Sequence, residues 1–242
     1  MDITLYAVSA LAVAAASFFT TVCGFGFALV ALPLLSLVMS VKASVILVLV
    51  VALLTRIVNM YQTWGTCDWT AVGLLSAGGF IGTLPGVLAF KLLPVRQLEL
   101  FLGGVLLAVV FLMGRNTYFP VKNKTMGRLG AGIVSGFFGA ATGVGGPPIV
   151  LYCLNEGMEK NLLRANMIWY FGINAFIGLV AAFLAGNTEA VEDWRLVLAV
   201  IPAMLAGVSL GTRFFEYINQ TIFRRLALAV IFCGALSLIF KS

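Results

Sequence analysis

Long apolar runs without charged residues dominate the chain. No Asp, Glu, Lys or Arg occurs in residues 3–41, 69–90, 129–155 and 165–188. A helix needs about 20 apolar residues to cross a hydrocarbon core of roughly 30 Å, and these runs reach that length. Shorter runs, which become spans when their polar ends reach the interface, lie at 43–55, 100–114, 196–212 and 226–240. The pattern predicts an all-α polytopic membrane protein, because the strands of a transmembrane barrel would alternate apolar and polar positions.

The apolar sequence divides into ten pieces, five in each half of the chain. The first five are 4–22, 25–40, 43–63, 69–90 and 97–114, and the second five are 129–142, 146–155, 162–186, 194–213 and 223–240. In each half a Gly-x-Gly separates two short leading pieces. Ten helical residues rise only about 15 Å, too little for a full crossing. We therefore predict in each half a glycine-broken re-entrant helix hairpin followed by three transmembrane helices, with one broken span as the alternative to the hairpin.

Two sequence matches indicate an internal repeat. Segments 17–27 and 136–146 each contain a Phe-Phe pair followed by Gly-x-Gly, at a displacement of 119 positions, and Asp-Trp recurs at 68–69 and 193–194, displaced by 125. Ladders of small residues, which let membrane helices approach closely, follow at Gly78, Gly82 and Gly86 and at Ala203, Gly207 and Gly211. We predict two homologous transmembrane repeats, 1–114 and 129–242, joined by a basic linker, 115–128.

The number of crossings in each half decides how the halves are related. A hairpin plus three spans crosses the membrane an odd number of times and gives inverted repeats, whereas a broken span plus three gives parallel repeats. Positively charged loops favour the cytoplasmic side. The basic linker residues Arg115, Lys122, Lys124 and Arg128 lie inside if the repeats are inverted and outside if they are parallel. We therefore expect inverted repeats with both termini outside.

Composition narrows the function classes. The chain is 62% hydrophobic and 10% charged, with a mean hydropathy of +1.09, whereas a soluble domain is about 25% charged. The net charge of +6 comes from residues between spans that set topology and contact the lipid bilayer, so no nucleic-acid partner is expected. His is absent and the four cysteines have no metal-ligand spacing, so we expect no metal, no cofactor and no enzyme activity. The oligomeric state stays open.

The glycine breaks carry the candidate chemistry. Glycine reaches positive φ at little cost, proline favours the first turn of a helix, and the free amides of a helix N-terminus attract anions. Paired broken helices in the two halves of a transporter point to a midplane substrate site. The candidate binding residues at the breaks are Thr21, Gly24, Gly26 and Phe27 in the first half and Thr142, Gly143, Gly145, Gly146 and Pro147 in the second. The alternative is that these glycines only permit close helix packing.

Polar residues within the spans supply candidates for a transport path. Asn166, Tyr170 and Asn174 share one helix face at i, i+4 and i+8, and Arg56 and Asn59 share another at i and i+3. An ionisable residue within the membrane indicates function, although Arg56 lies eight residues before Trp64 and could instead reach the interface. No Asp or Glu lies deep in a span, which favours a facilitator or a carrier whose substrate brings its own proton.

These motifs resemble the sulfite exporter TauE/SafE family of bacterial and plant membrane permeases. The resemblance rests on the duplicated Gly-x-Gly after Phe-Phe, on Gly-Gly-Pro-Pro at 145–148 and on the small-residue ladders, and it extends over nearly the whole chain. It implies a secondary transporter of small sulfur-containing anions, sulfite or an organosulfonate, which exports them across the bacterial inner membrane. The first motif departs from the second, with Phe27 where the second half has Gly146.

Two other functions remain open from the sequence. A passive anion channel would use the broken helices as a filter without alternating access. A cysteine-based sulfur-transfer protein would use Cys23 and Cys153, which lie near the breaks. That chemistry needs a thiolate, and no basic residue adjoins either cysteine to favour one.

Overall fold

The computed structural model describes residues 3–35, 37–39, 41–92, 94–115, 123–142, 145–184 and 194–240. Within these ranges the chain forms ten α-helices and a 3-10 turn, Trp64–Thr66, and no strand. The helices of the first half are α1 (Ile3–Cys23), α2 (Phe27–Leu35), α3 (Val41–Thr63), α4 (Trp69–Leu92) and α5 (Val95–Gly114). Those of the second half are α6 (Lys124–Thr142), α7 (Gly146–Asn155), α8 (Lys160–Leu184), α9 (Trp194–Tyr217) and α10 (Gln220–Phe240). The expected all-α class is confirmed.

Four helices in the described part of the chain are long and apolar enough to cross a membrane. These stretches are Thr4–Cys23, Leu47–Thr66, Trp69–Ala89 and Trp194–Tyr217, and Leu100–Gly114 is a shorter apolar stretch. Each of the ten apolar pieces coincides with one helix, and α7 has the bounds expected from the sequence, 146–155. The charge-free segments therefore predict where the helices lie, because a helix in lipid has few positions for a charged side chain.

The start of α6 differs from the expectation. The sequence placed this piece at 129–142, whereas the helix begins at Lys124, within the basic stretch assigned to the linker. The Oδ1 atom of Asn123 accepts a hydrogen bond from the backbone N–H of Met126 at 3.1 Å, and the N–H of Gly127 donates to the Asn123 carbonyl at 2.9 Å. Asn123 thus caps the helix, which carries α6 more than one turn beyond the apolar run.

The chain divides into two compact units, each containing helices from both halves. The first unit comprises Met1–Gly65 and Phe171–Ile218, and the second comprises Thr66–Tyr170 and Asn219–Ser242. These units describe packing, whereas the segments 1–114, 115–128 and 129–242 describe sequence correspondence. The segment boundaries therefore remain a prediction.

In the first unit, α1 packs closely against α9. A Cβ atom at Gly211 would lie 2.9 Å from the carbonyl oxygen of Phe18, and one at Gly207 would overlap the carbonyl oxygen of Ala14. The helices therefore meet at backbone distance, which only glycine permits here. An apolar core from α1, α2, α3 and α9 lies in the same unit and includes Val13, Phe27, Val51 and Val200.

In the second unit, α4 packs against α6 through glycines on both helices. A Cβ atom at Gly82 would overlap the carbonyl of Ile133, and one at Gly86 would overlap that of Phe137. In return, Gly136 of α6 lies against the carbonyl of Gly79. The predicted small-residue ladder is therefore a close-packing surface, and the two helices run parallel because contact positions increase together along both.

The two close contacts join corresponding positions of the predicted repeat. Gly82 and Gly207 are 125 positions apart, and their partners, Ile133 and Ala14, are 119 apart. These are the displacements of the two sequence matches. In each unit the first helix of one half thus packs on the fourth helix of the other half.

Within the second unit, α5 and α10 pack in opposite directions and cap each other. Arg96, near the start of α5, donates to the carbonyl of Ile239, near the end of α10, at 2.7 Å. Arg224, near the start of α10, donates to the carbonyl of Met113, near the end of α5, at 2.6 Å. Each arginine therefore donates to a carbonyl in the last turn of the neighbouring helix, where cations are favourable.

A Gly82→Ala substitution tests the close contact between α4 and α6. We expect it to lower the free energy of unfolding by about 1–3 kcal/mol, the usual cost of overpacking, seen as a lower thermal midpoint in detergent by circular dichroism. The matched control is Gly73→Ala on the same helix, where a Cβ atom has no neighbour within 4 Å and alanine favours the helix. Equal stability of the two variants would contradict this packing.

Candidate functional site

The first break is built from two glycines in the left-handed region. Gly24 has φ of 82° and Gly26 has φ of 95°, conformations that cost other residues energy. The N–H of Gly24 donates to the carbonyl of Thr20 at 2.7 Å, which closes the last turn of α1. Phe27 then begins α2 with its side chain 2% exposed. Phe27 therefore anchors the break in the core of the first unit.

A buried polar seam joins α1 to α3 beside this break. The Nδ2 atom of Asn59 donates to the Oγ1 atom of Thr21 at 3.0 Å. One turn earlier on both helices, the hydroxyls of Ser17 and Thr55 are 3.3 Å apart. All four side chains are fully buried. Two of the predicted site residues, Thr21 and Asn59, are thus in direct contact. Thr21 lies three positions before Gly24.

Arg56 also lies on α3, and part of its guanidinium is buried. Its Nε atom is buried and has no hydrogen-bond partner among the described residues. Its Cζ atom lies 5.5 Å from the centroid of the Phe171 ring, a cation–π distance. Asn174, further along α8 from Phe171, is half-buried. Phe171 is not predictable from the sequence, because a phenylalanine in an apolar run carries no signal of a charged neighbour.

The second break separates α6 from α7. Gly143 and the side chain of Thr142 lie outside the described residues. Gly145 precedes α7, and its carbonyl accepts a hydrogen bond from Ser135 Oγ at 2.6 Å. A Cβ atom at Gly145 would lie 2.5 Å from the carbonyl oxygen of Ser135. Gly146 begins α7 and is followed by the buried Pro147, a position that suits proline because its missing N–H would have no intrahelical acceptor.

Tyr170 and Asn166 have structural hydrogen bonds in the second unit. The Tyr170 hydroxyl donates to Ser135 Oγ at 2.9 Å, and Ser135 in turn donates to Gly145. The Oδ1 atom of Asn166 accepts from the N–H of Asp68 at 2.9 Å. Ser135 therefore connects Tyr170 to the break, a link that no sequence pattern indicates. That these two side chains line a path stays a prediction.

A buried ion-pair cluster holds the start of α6 to the end of α7. Arg128 donates to both carboxylate oxygens of Glu156, from Nη2 at 2.8 Å and from Nε at 3.2 Å. Its Nη1 atom donates to Asp68 at 3.2 Å. The Glu156 side chain is 2% exposed, whereas Lys124, 3.6 Å away, is 68% exposed. The start of α6 and the end of α7 therefore lie together, and the break between the two helices is at their other ends.

Three of the four cysteines are at least partly buried. Cys23 and Cys153 are buried free thiols. Burial, followed by the neighbouring Asp68 carboxylate, raises the pKa of Cys67 to about 11, so this thiol is protonated at neutral pH. In the part of the chain that is described, no group of three His, Cys, Asp or Glu side chains could hold a metal ion.

The fold and these polar groups beside helix breaks are those of a polytopic membrane transport protein. Residues 9–238 match the model of the family described as "Sulfite exporter TauE/SafE", and the chain therefore belongs to that family. It is a transporter, not an enzyme, and a multi-pass protein of the inner membrane.

A curated relative covers most of the chain. The Cupriavidus necator protein named "Probable sulfite/organosulfonate exporter TauE" is 26% identical over 228 residues, which are 90% of this chain and 87% of the relative. No solved structure gives a significant match.

A Glu156→Gln substitution tests the ion-pair cluster. We expect a loss of about 3 kcal/mol in the free energy of unfolding, at the lower end of the range for breaking a buried pair, because Asp68 still partners Arg128. Lys124→Gln is the matched control, and its exposed pair should contribute about 0–1 kcal/mol. Chemical denaturation in detergent measures both. If the two variants lose the same stability, the buried pair is not what joins α6 to α7.

Proposed function

We propose that the chain is a secondary transporter that exports a small sulfur-containing anion, sulfite or an organosulfonate. Family membership and the printed name of the Cupriavidus relative support the substrate class. The main structural support is the first break, where two left-handed glycines follow directly on the buried Thr21–Asn59 contact. This arrangement combines free helix amides with polar side chains at a depth where lipid offers neither.

In the proposed mechanism, backbone N–H groups at the two breaks hold the anion near the midplane. Helix N-termini favour negative charge through their amides and their dipole, and α2 and α7 each begin at a break. Arg56, Asn59, Asn166, Tyr170 and Asn174 line the path, and the hydroxyls of Thr21 and Thr142 assist. Alternating access arises from movement of one half against the other, as in transporters with repeated halves.

The second half is proposed to begin with a re-entrant hairpin. Its α7 has ten residues and rises only about 15 Å, half of the roughly 30 Å core. The Arg128–Glu156 pair keeps the end of α7 beside the start of α6. A segment that returns to its point of entry in this way leaves the glycine break inside the membrane.

The two halves are proposed to be inverted repeats. The fifth helices of the halves, α5 and α10, run in opposite directions and exchange equivalent arginine–carbonyl hydrogen bonds. Corresponding helices would run in the same direction if the repeats were parallel. The antiparallel pair therefore supports inverted repeats, and the basic residues of the linker favour its cytoplasmic placement.

Flux through proteoliposomes tests the role of the breaks. Gly24→Ala places a side chain at positive φ, which costs about 1–2 kcal/mol, and Gly145→Ala clashes with the Ser135 carbonyl. Either change displaces the backbone amides that are proposed to hold the anion, and a loss of about 1.4 kcal/mol in that interaction corresponds to about tenfold lower sulfite flux in each variant. Gly130→Ala is the matched control, because a Cβ atom there has no neighbour within 4 Å.

Several outcomes of the flux assay would contradict the proposal. If both break variants show the same flux as the wild type, the breaks are not part of the anion site. Flux that does not saturate and shows no counterflow would favour a passive anion channel. Replacing Cys23 and Cys153 with serine should leave flux intact, and its loss in a folded protein would favour cysteine-based sulfur transfer.

Single-cysteine labelling tests the inverted topology. In a background with all four native cysteines replaced by serine, Gln97→Cys and Thr221→Cys mark the exposed starts of α5 and α10. We expect an impermeant maleimide to label position 97 in intact cells and position 221 only after the membrane is opened. Labelling of both positions from the same side would indicate parallel repeats. Sulfite flux of the serine background provides the control for folding.

A further inference from the structure

Two buried polar atoms without hydrogen-bond partners lie on one face of α3. Among the described residues, neither the Nε of Arg56 nor the Oδ1 of Asn59 has a partner. The two residues are three positions apart, so their side chains leave the helix on the same face. The Asn59 side chain is fully buried. The site therefore presents one charged donor and one neutral acceptor.

Neighbouring contacts fix both groups in place. The amide nitrogen of Asn59 is already used, because it donates to Thr21 at 3.0 Å, which leaves the amide oxygen as the free atom. The Phe171 ring lies 5.5 Å from the Arg56 guanidinium. Arg56 forms no ion pair with the described residues, so no carboxylate there competes for its charge.

A ligand that satisfies both atoms must accept one hydrogen bond and donate another. The arginine has only donors and a carboxamide oxygen has only acceptor lone pairs. A fully deprotonated oxyanion would satisfy Arg56 but place a second acceptor against Asn59. An oxyanion with one protonated oxygen satisfies both, because its O–H donates to Asn59 while its other oxygens accept from Arg56.

We infer that Arg56 and Asn59 select the singly protonated form of the anion, which for sulfite is hydrogensulfite. This inference rests on the proposed function and names the form of the substrate. Sulfite exchanges this proton near neutral pH, whereas a sulfonate group has no O–H at such pH. Each transported hydrogensulfite therefore carries one proton with it, without a carboxylate relay in the protein.

The pH dependence of flux tests this inference. Proteoliposomes receive a fixed total concentration of sulfite, or of sulfoacetate, at equal pH on both sides, from mildly acidic to mildly alkaline. We expect wild-type sulfite flux to follow the hydrogensulfite fraction and fall about tenfold per pH unit on the alkaline side. Sulfoacetate, whose sulfonate has no O–H to donate to Asn59, should move more slowly than hydrogensulfite and without that dependence on pH. Protein-free liposomes are subtracted.

Asn59→Leu removes the acceptor and should abolish the preference for hydrogensulfite. Sulfite flux in this variant should lose its steep dependence on pH. The matched control is Thr55→Val, which removes a buried hydroxyl from the same helix one turn before Asn59 and should keep the wild-type pH profile. A pH-sensitive dye inside the vesicles provides a second readout, since entering hydrogensulfite releases a proton there.

The outcomes distinguish this inference from the proposed function. If wild-type protein moves sulfite at a rate that is constant or rises with pH, selection of the protonated form is wrong while transport of sulfur anions stands. An unchanged pH profile in Asn59→Leu would remove Asn59 from that selection. If neither sulfite nor sulfoacetate moves, the proposed function fails and this inference fails with it.

Discussion

Backbone groups within the hydrocarbon core must find partners inside the protein, because lipid offers none. We propose that the two helix breaks lie within that core, and the structure shows one backbone group of each break with a partner in the protein. The N–H of Gly24 donates to Thr20 at the first break, and Ser135 donates to the carbonyl of Gly145 at the second. In the proposed function, the remaining backbone amides of the breaks bind the ligand. The proposed anion site depends on these hydrogen bonds, which hold the backbone at each break.

The hydrophobic effect contributes little to helix association in lipid, so van der Waals contact between closely packed helices supplies much of the favourable energy. The glycines of α4 meet α6, and those of α9 meet α1, at backbone distance. Both contacts cross from one half of the sequence to the other. Each compact unit therefore depends on helices from both halves.

Much of the fold could be predicted from the sequence, because charge-free runs and glycine breaks act locally. The bounds of α7 and the left-handed break at Gly24 follow from them. The start of α6 could not, since it depends on a cap by Asn123 within a polar stretch. The contact of Thr21 with Asn59, and the pair of Arg128 with Glu156, depend on the register between separate helices. No local pattern encodes that register.

The central claim is that the helix breaks and the polar face of α3 bind a sulfur oxyanion. An experimental structure of the protein saturated with sulfite, in a lipid nanodisc, tests this most directly. The account predicts density for one anion within hydrogen-bond distance of Arg56 Nε and of a helix-break amide. Density for a cation coordinated by carbonyl oxygens at the breaks, with no donor directed at a bound anion, would contradict it.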